Sequence, residues 1–211
     1  MNAPEASAGQ IETILVMAYE RTICTVRETL CSTIASVDAW FDRDEQLRRF
    51  KPASDNWSVD QVLEHVTLTN RYLMLTLGKW VRIAEQRARR GDPIPSGESD
   101  LDRLLVIGER GSFGWVRPEH MEPTGVPPSG EVRATLHRQL GECLIQLERI
   151  GGGIGAICLV TMTVNDLGKL DLYQWLYFLA QHARRHLQQL AALETEFAAA
   201  SEKAGLPRRC T

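Results

Sequence analysis

The chain has 211 residues and a net charge of −3, from 24 Lys and Arg against 27 Asp and Glu. This slightly acidic balance argues against binding driven by nucleic-acid phosphates, and a hydrophobic fraction of 44% excludes wholesale disorder. The five cysteines are odd in number and form no Cys-x-x-Cys motif, which argues against a disulfide framework and against a cysteine-rich zinc site.

The N-terminal sequence lacks the basic segment followed by an apolar segment that marks a secretory signal. No part of the chain approaches the ~18 consecutive apolar residues of a transmembrane helix. We therefore expect a cytoplasmic protein in a reducing compartment, with neither a membrane nor a nucleic-acid partner.

A long first helix is predicted over residues 10–40, where apolar residues recur at spacings of three and four and no Gly or Pro interrupts them. Ser7 and Gln10 have the spacing of a capping box at its start. The charged residues 41–55 that follow are expected to form a loop.

A second helix is predicted from Ser58 to about Arg90. Ser58 and Gln61 have the spacing of a capping box, in which each side chain bonds the backbone N–H of the other residue. Trp57 and Val62 have the spacing of the hydrophobic staple that accompanies such a box. The start of this helix is therefore well marked in the sequence.

Residues 91–130 differ in composition from the rest of the chain, because they contain 7 of the 16 Gly and 6 of the 9 Pro. We predict an irregular crossover or insertion here, with a short helix at 99–109, that caps one end of a helical bundle. A connection of this length is uncommon inside a compact domain and is usually functional or mobile.

Two further helices are predicted in the second half of the chain. One covers residues 130–150 and ends at the glycines 151–153, after which β-branched residues favour a short strand or an extended link. Asp171 then caps a fourth helix that ends near residue 205. Four long helices joined by short and long links favour an all-α protein, a four-helix bundle that forms a single domain over residues 1–211.

Three of the five histidines fall at core-facing positions of two predicted helices. His182 and His186 occupy the apolar seam of the fourth helix, and a pair at i and i+4 can bring both imidazoles to one metal ion. His65 faces the same core from the second helix. These three imidazoles form a candidate metal site, whose open coordination positions would take water or substrate.

Each histidine also has a structural interpretation. A lone core histidine that hydrogen-bonds a neighbour is more common than a metal ligand. Two imidazoles on one seam without a ligand would leave buried nitrogens in need of partners, at ~1–3 kcal/mol each. The metal interpretation therefore depends on the three residues together.

The sequence resembles the DinB-like superfamily of metalloenzymes. The segment WSVDQVLEHV, residues 57–66, is similar to the family signature W-[ST]-x-x-[EQ]-[VIL]-[LI]-x-H-[LIV]. The segment LGKLDLYQWL, residues 167–176, carries the resemblance into the last helix, where His182 and His186 match the family motif H-x-x-x-H. The resemblance covers roughly residues 10–200.

This resemblance implies an antiparallel four-helix bundle with a long crossover, in which His65, His182 and His186 bind a divalent metal such as zinc, nickel or iron. Characterised relatives include thiol-dependent S-transferases and isomerases that use mycothiol or bacillithiol, and amide hydrolases; dimers are frequent. Sulfoxide-synthase relatives carry H-x-x-x-H-x-E, whereas residue 188 here is Gln, so that activity is disfavoured.

Five further residues are weaker candidates. His120 in the crossover is either an extra ligand or acid, or a solvated loop histidine. Asn70 and Arg185 are candidates for contacts with the metal ligands or with substrate. Glu64 is not assigned as a base because it faces partly away, and His137 is interpreted as structural.

Three functional hypotheses follow. In the first, a metal-activated thiolate or hydroxide attacks a small electrophile, which would make the chain a thiol-dependent S-transferase or a hydrolase. In the second, the chain is a non-enzymatic ligand-binding or stress-response bundle whose metal is structural or absent. In the third, it is a metal-free helical dimerisation protein. A site open to a pocket favours the first, and a closed site favours the second. The expected partners are a small-molecule substrate or thiol and a second copy of the chain.

Overall fold

A computed structural model describes residues 8–52, 56–111, 118–164 and 167–203. The helices are α1 Ala8–Asp38, α2 Glu45–Arg49, α3 Val59–Arg89, α4 Ser129–Arg149 and α5 Leu172–Lys203. Short 3-10 helices cover Ala39–Asp42, Asp102–Gly108, Glu119–Met121 and Ile154–Ala156. The described residues are predominantly helical, so the prediction of an all-α protein is confirmed.

The four long helices pack so that α1 and α3 each contact both α4 and α5. The helix directions follow from side-chain pairs, which are Arg27–Glu148 and Asp38–Arg133 between α1 and α4, and Asn70–Gln139 and Glu85–Arg149 between α3 and α4. Helix α4 therefore runs antiparallel to α1 and parallel to α3. A parallel pair needs a connection that returns along the bundle, which the long crossover between α3 and α4 provides.

The starts of α3 and α5 are both fixed by side-chain caps. The Ser58 side chain accepts from the Gln61 N–H at 3.3 Å, and the Gln61 side chain accepts from the Ser58 N–H at 3.2 Å. The Asp171 carboxylate accepts from the Gln174 N–H at 2.8 Å, and the Gln174 side chain accepts from the Asp171 N–H at 3.0 Å. Both predicted starts are confirmed. Ser7, predicted to cap α1, lies outside the described residues.

Two predicted connections contain more regular structure than the sequence suggested. Within the predicted loop 41–55, the short helix α2 forms because the Asp44 side chain accepts from the Gln46 N–H at its start. In place of one short strand or extended link before α5, two strands, β1 Val160–Met162 and β2 Gly168–Leu170, pair antiparallel.

The crossover lies lengthwise on the bundle. Ser99 donates to Asp171 at the start of α5 at 2.6 Å, and the Gly108 carbonyl accepts from Gln188 in the middle of that helix at 3.0 Å. The segment then reaches α3, where Met121 contacts His65. The prediction that the crossover caps one end is therefore wrong, because polar side chains along α5 hold it against that helix.

The apolar core has two parts along α5. One surrounds Tyr173 and Phe178 near the start of the helix, and the other includes Leu63 of α3 and Leu190 further along α5. His182 and His186 lie on α5 where the first part gives way to the second. Within the described ranges, no helix combines the length and the apolar character needed to cross a membrane.

Candidate metal centre

The three histidines predicted from the sequence lie together in the core. His65 is 5% exposed, His182 3% and His186 7%. Their ring centroids are 4.6 Å apart for His182 and His186, 4.8 Å for His65 and His186, and 5.4 Å for His65 and His182. Helix α3 supplies one imidazole and successive turns of α5 supply the other two.

One nitrogen of each ring lies near one nitrogen of each of the other two rings. The three ligand atoms lie within 4.8 Å of one another, and the Nε2 atoms of His182 and His186 are 3.1 Å apart. Zinc–nitrogen bonds are ~2.0–2.1 Å long, so two nitrogens on one ion are at most ~4.2 Å apart. The separation between His182 and His186 satisfies that limit, and the group could hold a metal ion.

Hydrogen bonds on the far side of two rings set which nitrogen is available. His65 Nδ1 lies 2.7 Å from the Met121 carbonyl oxygen, and His186 Nδ1 lies 2.9 Å from Gln189 Oε1. A carbonyl oxygen can only accept, so each Nδ1 carries the hydrogen and each Nε2 keeps its lone pair. Such outer partners orient histidine ligands and raise their basicity.

Burial keeps the two α5 imidazoles neutral. Burial is the main cause that lowers the pKa of His182 well below its usual range, and repulsion from His186 and His65 in their protonated forms and from Arg185 adds to it. Burial and His65 lower the pKa of His186 to about 3, although the Gln189 hydrogen bond opposes the change. Because a metal ligand must be an unprotonated imidazole, both residues are ready to coordinate at neutral pH.

Aromatic and hydroxyl groups complete the surroundings of His65. The Trp57 ring lies against the His65 ring, with centroids 4.7 Å apart, so this tryptophan shields one face of the imidazole from water. Thr69, one turn further along α3, places its Oγ1 3.5 Å from His65 Nε2. His65 is therefore restrained on several sides.

The weaker candidates differ in what they contact. Arg185 donates to the Glu109 carbonyl at 2.7 Å, and its charge acts on both α5 histidines. Asn70 is buried and donates to Gln139 of α4. His120 is exposed, with its ring 4.7 Å from that of Tyr72, so the structure does not bring it into the histidine group.

His137 is placed as its structural interpretation predicts. Its Nε2 lies 2.6 Å from the Asp38 carboxylate, in a cluster that also contains Arg133. This cluster joins α4 to the end of α1, away from the candidate metal centre. His137 is therefore surrounded by charged side chains, in contrast to the three buried histidines.

Two partners of the histidines were missed by reasoning from the sequence. Gln189 had a signal, because it is a polar residue in the apolar seam of α5, three residues after His186. Met121 had none, because it contributes a backbone carbonyl, which every residue type has. The distance in sequence between His65 and Met121 also hides the contact.

A groove of about 500 Å³ lies between α3 and α4. Its walls are formed by residues of α3 and α4 and by Pro127 of the crossover, and they include Glu64, Arg71, Glu131, Arg138 and Glu142. It is lined by side chains of both charges. Glu64 lines the groove, whereas none of the three histidines is among its lining residues.

The geometry agrees with a comparison against protein families. The family model described as the DinB superfamily matches residues 28–190, a span that contains all three histidines. No curated protein and no solved structure matches the chain significantly. Because the matched span covers most of the 211 residues, the chain belongs to the DinB superfamily.

Proposed function

We propose that His65, His182 and His186 bind one divalent metal ion, and that the chain is a metal-dependent enzyme acting on a small electrophile. The observation that carries the proposal is the convergence of one nitrogen from each of three buried imidazoles. The reaction type that the family resemblance favours is thiol-dependent S-transfer or hydrolysis. Zinc, nickel and iron all suit imidazole ligands.

The residues of the chain prepare the site in two ways. Met121 and Gln189 fix the tautomers of His65 and His186, so that Nε2 faces the metal position. Trp57 covers one face of His65. A divalent cation held by the three neutral imidazoles would keep its full charge and would lower the pKa of a coordinated thiol or water.

The first experiment measures metal content. Elemental analysis of purified protein should find about one divalent ion per chain, and His182→Ala should lose it. The matched control is His137→Ala, which removes a histidine from the Asp38 cluster and should keep the metal. Equal metal content in wild type and His182→Ala would contradict the proposal.

A second candidate function is a non-enzymatic bundle in which the metal is structural. The observation that favours it is burial, since none of the three imidazoles is more than 7% exposed. Cobalt(II) substitution distinguishes the two, because a thiol can bind the ion only at an open coordination position. A sulfur-to-cobalt charge-transfer band on addition of 2-mercaptoethanol supports the enzyme, and an unchanged spectrum supports the structural metal.

A screen of small substrates tests which reaction the protein catalyses. Low-molecular-weight thiols are paired with 1-chloro-2,4-dinitrobenzene for S-transfer, and small amide substrates are tested for hydrolysis. Turnover that disappears in His182→Ala identifies the reaction type. The homodimer and the cytoplasmic location stay predictions, and light scattering of the purified chain tests the former.

A further inference from the structure

Glu64 is a buried carboxylate that holds the crossover. The whole residue is 5% exposed. Its carboxylate accepts three hydrogen bonds. The donors are the Thr124 N–H at 3.0 Å, the Thr124 hydroxyl at 2.9 Å and the Gly125 N–H at 2.7 Å. Three donors on one side chain attach this part of the crossover to α3.

The next residue on α3 holds the same segment at a second point. His65 Nδ1 donates to the Met121 carbonyl at 2.7 Å, three residues before Thr124. Glu64 and His65 therefore bind the two ends of residues 121–125. If the Glu64 attachment is lost, the Met121 carbonyl is held only by the remaining contacts of that segment.

The tautomer of His65 depends on that carbonyl. With Met121 in place, Nδ1 carries the hydrogen and Nε2 keeps its lone pair. Without a fixed acceptor, the neutral imidazole can carry the hydrogen on either nitrogen and can rotate. Either change removes a lone pair from the point where the three histidines converge.

We propose that Glu64 is a positioning residue for the metal site, acting through residues 121–125 on the orientation and tautomer of His65. The inference rests on the proposed metal site. It gives Glu64 a role other than that of a base, because the carboxylate is occupied by three donors from the crossover.

The coupling must act in both directions. If docking of residues 121–125 favours metal binding at His65, then metal binding favours that docking by the same factor. Adding zinc to the metal-free protein should therefore slow amide hydrogen exchange at Thr124 and Gly125, whose N–H groups are bonded to Glu64.

The test compares Glu64→Gln with Glu142→Gln. Glu142 is an exposed acidic residue that, like Glu64, lines the groove between α3 and α4. Zinc titration should show an affinity about tenfold lower for Glu64→Gln, since losing partners outside the ligand shell costs about 10–100-fold. Glu142→Gln should stay within twofold of wild type. Long-range ¹H–¹⁵N spectra of the metal-free proteins should show a single Nδ1–H tautomer of His65 in wild type and a mixture in Glu64→Gln.

A milder variant keeps the test decisive if Glu64→Gln does not fold. Thr124→Val removes one of the three donors and leaves the two N–H groups, so it should lower zinc affinity by a smaller factor and weaken the exchange protection at Gly125. Wild-type affinity and an unmixed His65 tautomer in the variants would overturn the role of Glu64 while the metal site stands. Failure of the wild type to bind zinc would overturn the proposed site and this inference together.

Discussion

Two buried polar groups on α5 differ in how their hydrogen-bonding capacity is used. Near the start of the helix, the Tyr173 hydroxyl donates to the Ile150 carbonyl and accepts from the N–H groups of Gly153, at 3.2 Å, and Gly155, at 3.4 Å. Every position of the hydroxyl is occupied by backbone from the glycine-rich turn after α4. This group has nothing left with which to bind a ligand.

Three turns later, the hydrogen bonds of the histidines run partly to the rest of the protein and partly among the histidines themselves. The Nδ1 atoms of His65 and His186 donate to Met121 and Gln189. The other nitrogen of each of these rings lies near His182. Lone pairs that face one another repel unless a cation or a hydrogen lies between them. The difference teaches that burial of a polar group does not mark a site, whereas convergence of acceptors does.

The largest expected contrast between these two regions is in how they make the free energy of unfolding depend on pH. The unfolded chain protonates its histidines near pH 6.5, whereas the pKa of His186 is lowered to about 3 and that of His182 also lies well below 6.5. The contribution of these two neutral imidazoles to the stability of the metal-free protein is thus fully present above pH 6.5. Below that pH, the free energy of unfolding should fall by roughly 3 kcal/mol per pH unit for the pair.

Denaturant unfolding at pH 7, 6 and 5, with a chelator present, measures this slope. His186→Ala should show about half of it, and titrating carboxylates cancel in the comparison with wild type. Tyr173 should contribute nothing in this range, because burial raises its pKa further above 10. Equal slopes in wild type and His186→Ala would contradict the assignment of buried neutral imidazoles.

The second-largest effect is expected for a substitution of Tyr173, which should lower stability without changing zinc affinity. Tyr173→Phe removes the hydroxyl and leaves the Ile150 carbonyl and two N–H groups without that partner, at a cost of about 2 kcal/mol in the free energy of unfolding. Zinc affinity should be unchanged. Thermal unfolding and zinc titration of the same sample check both, and a zinc affinity altered more than twofold would mean that the two regions are not separable.

The smallest expected effect comes from the partner of His186. Gln189→Ala removes the acceptor of His186 Nδ1 and should weaken zinc binding about tenfold, since such partners orient the ligand. Global stability should change little. Gln146→Ala, on α4 beside Arg149, is the control with the same change in composition. Equal zinc affinities for the two variants would show that His186 needs no orienting partner.

Much of the centre could be predicted because the spacing of residues along a helix determines which face of the helix each side chain occupies. The seam of α5 places His182 and His186 on one face, and the buried apolar residues Val62 and Val66 beside His65 turn that face of α3 inward. The helix starts were predictable for the same reason, since a capping box is a short-range interaction between residues three apart.

The crossover could not be predicted in the same way. Its path is fixed by single side-chain bonds to α5 and α3, such as those of Gln188 and Glu64, and by backbone groups that carry no sequence signal. The short helix α2 and the strands β1 and β2 have too few residues for periodicity to be recognised. His120 was weighed as a ligand because of its residue type, while it is the carbonyl of its neighbour Met121 that contacts the site.

The parallel arrangement of α3 and α4 leaves the chain with surplus length. Helix α3 has 31 residues and is about 46 Å long, a distance that about 14 residues of extended chain can cover. The connection from Arg89 to Ser129 contains 39 residues. Most of it is therefore not needed for reach, and the surplus forms an outer layer over α5 and the start of α3, where changes in its sequence can alter the surroundings of the histidines without altering the helices that carry them.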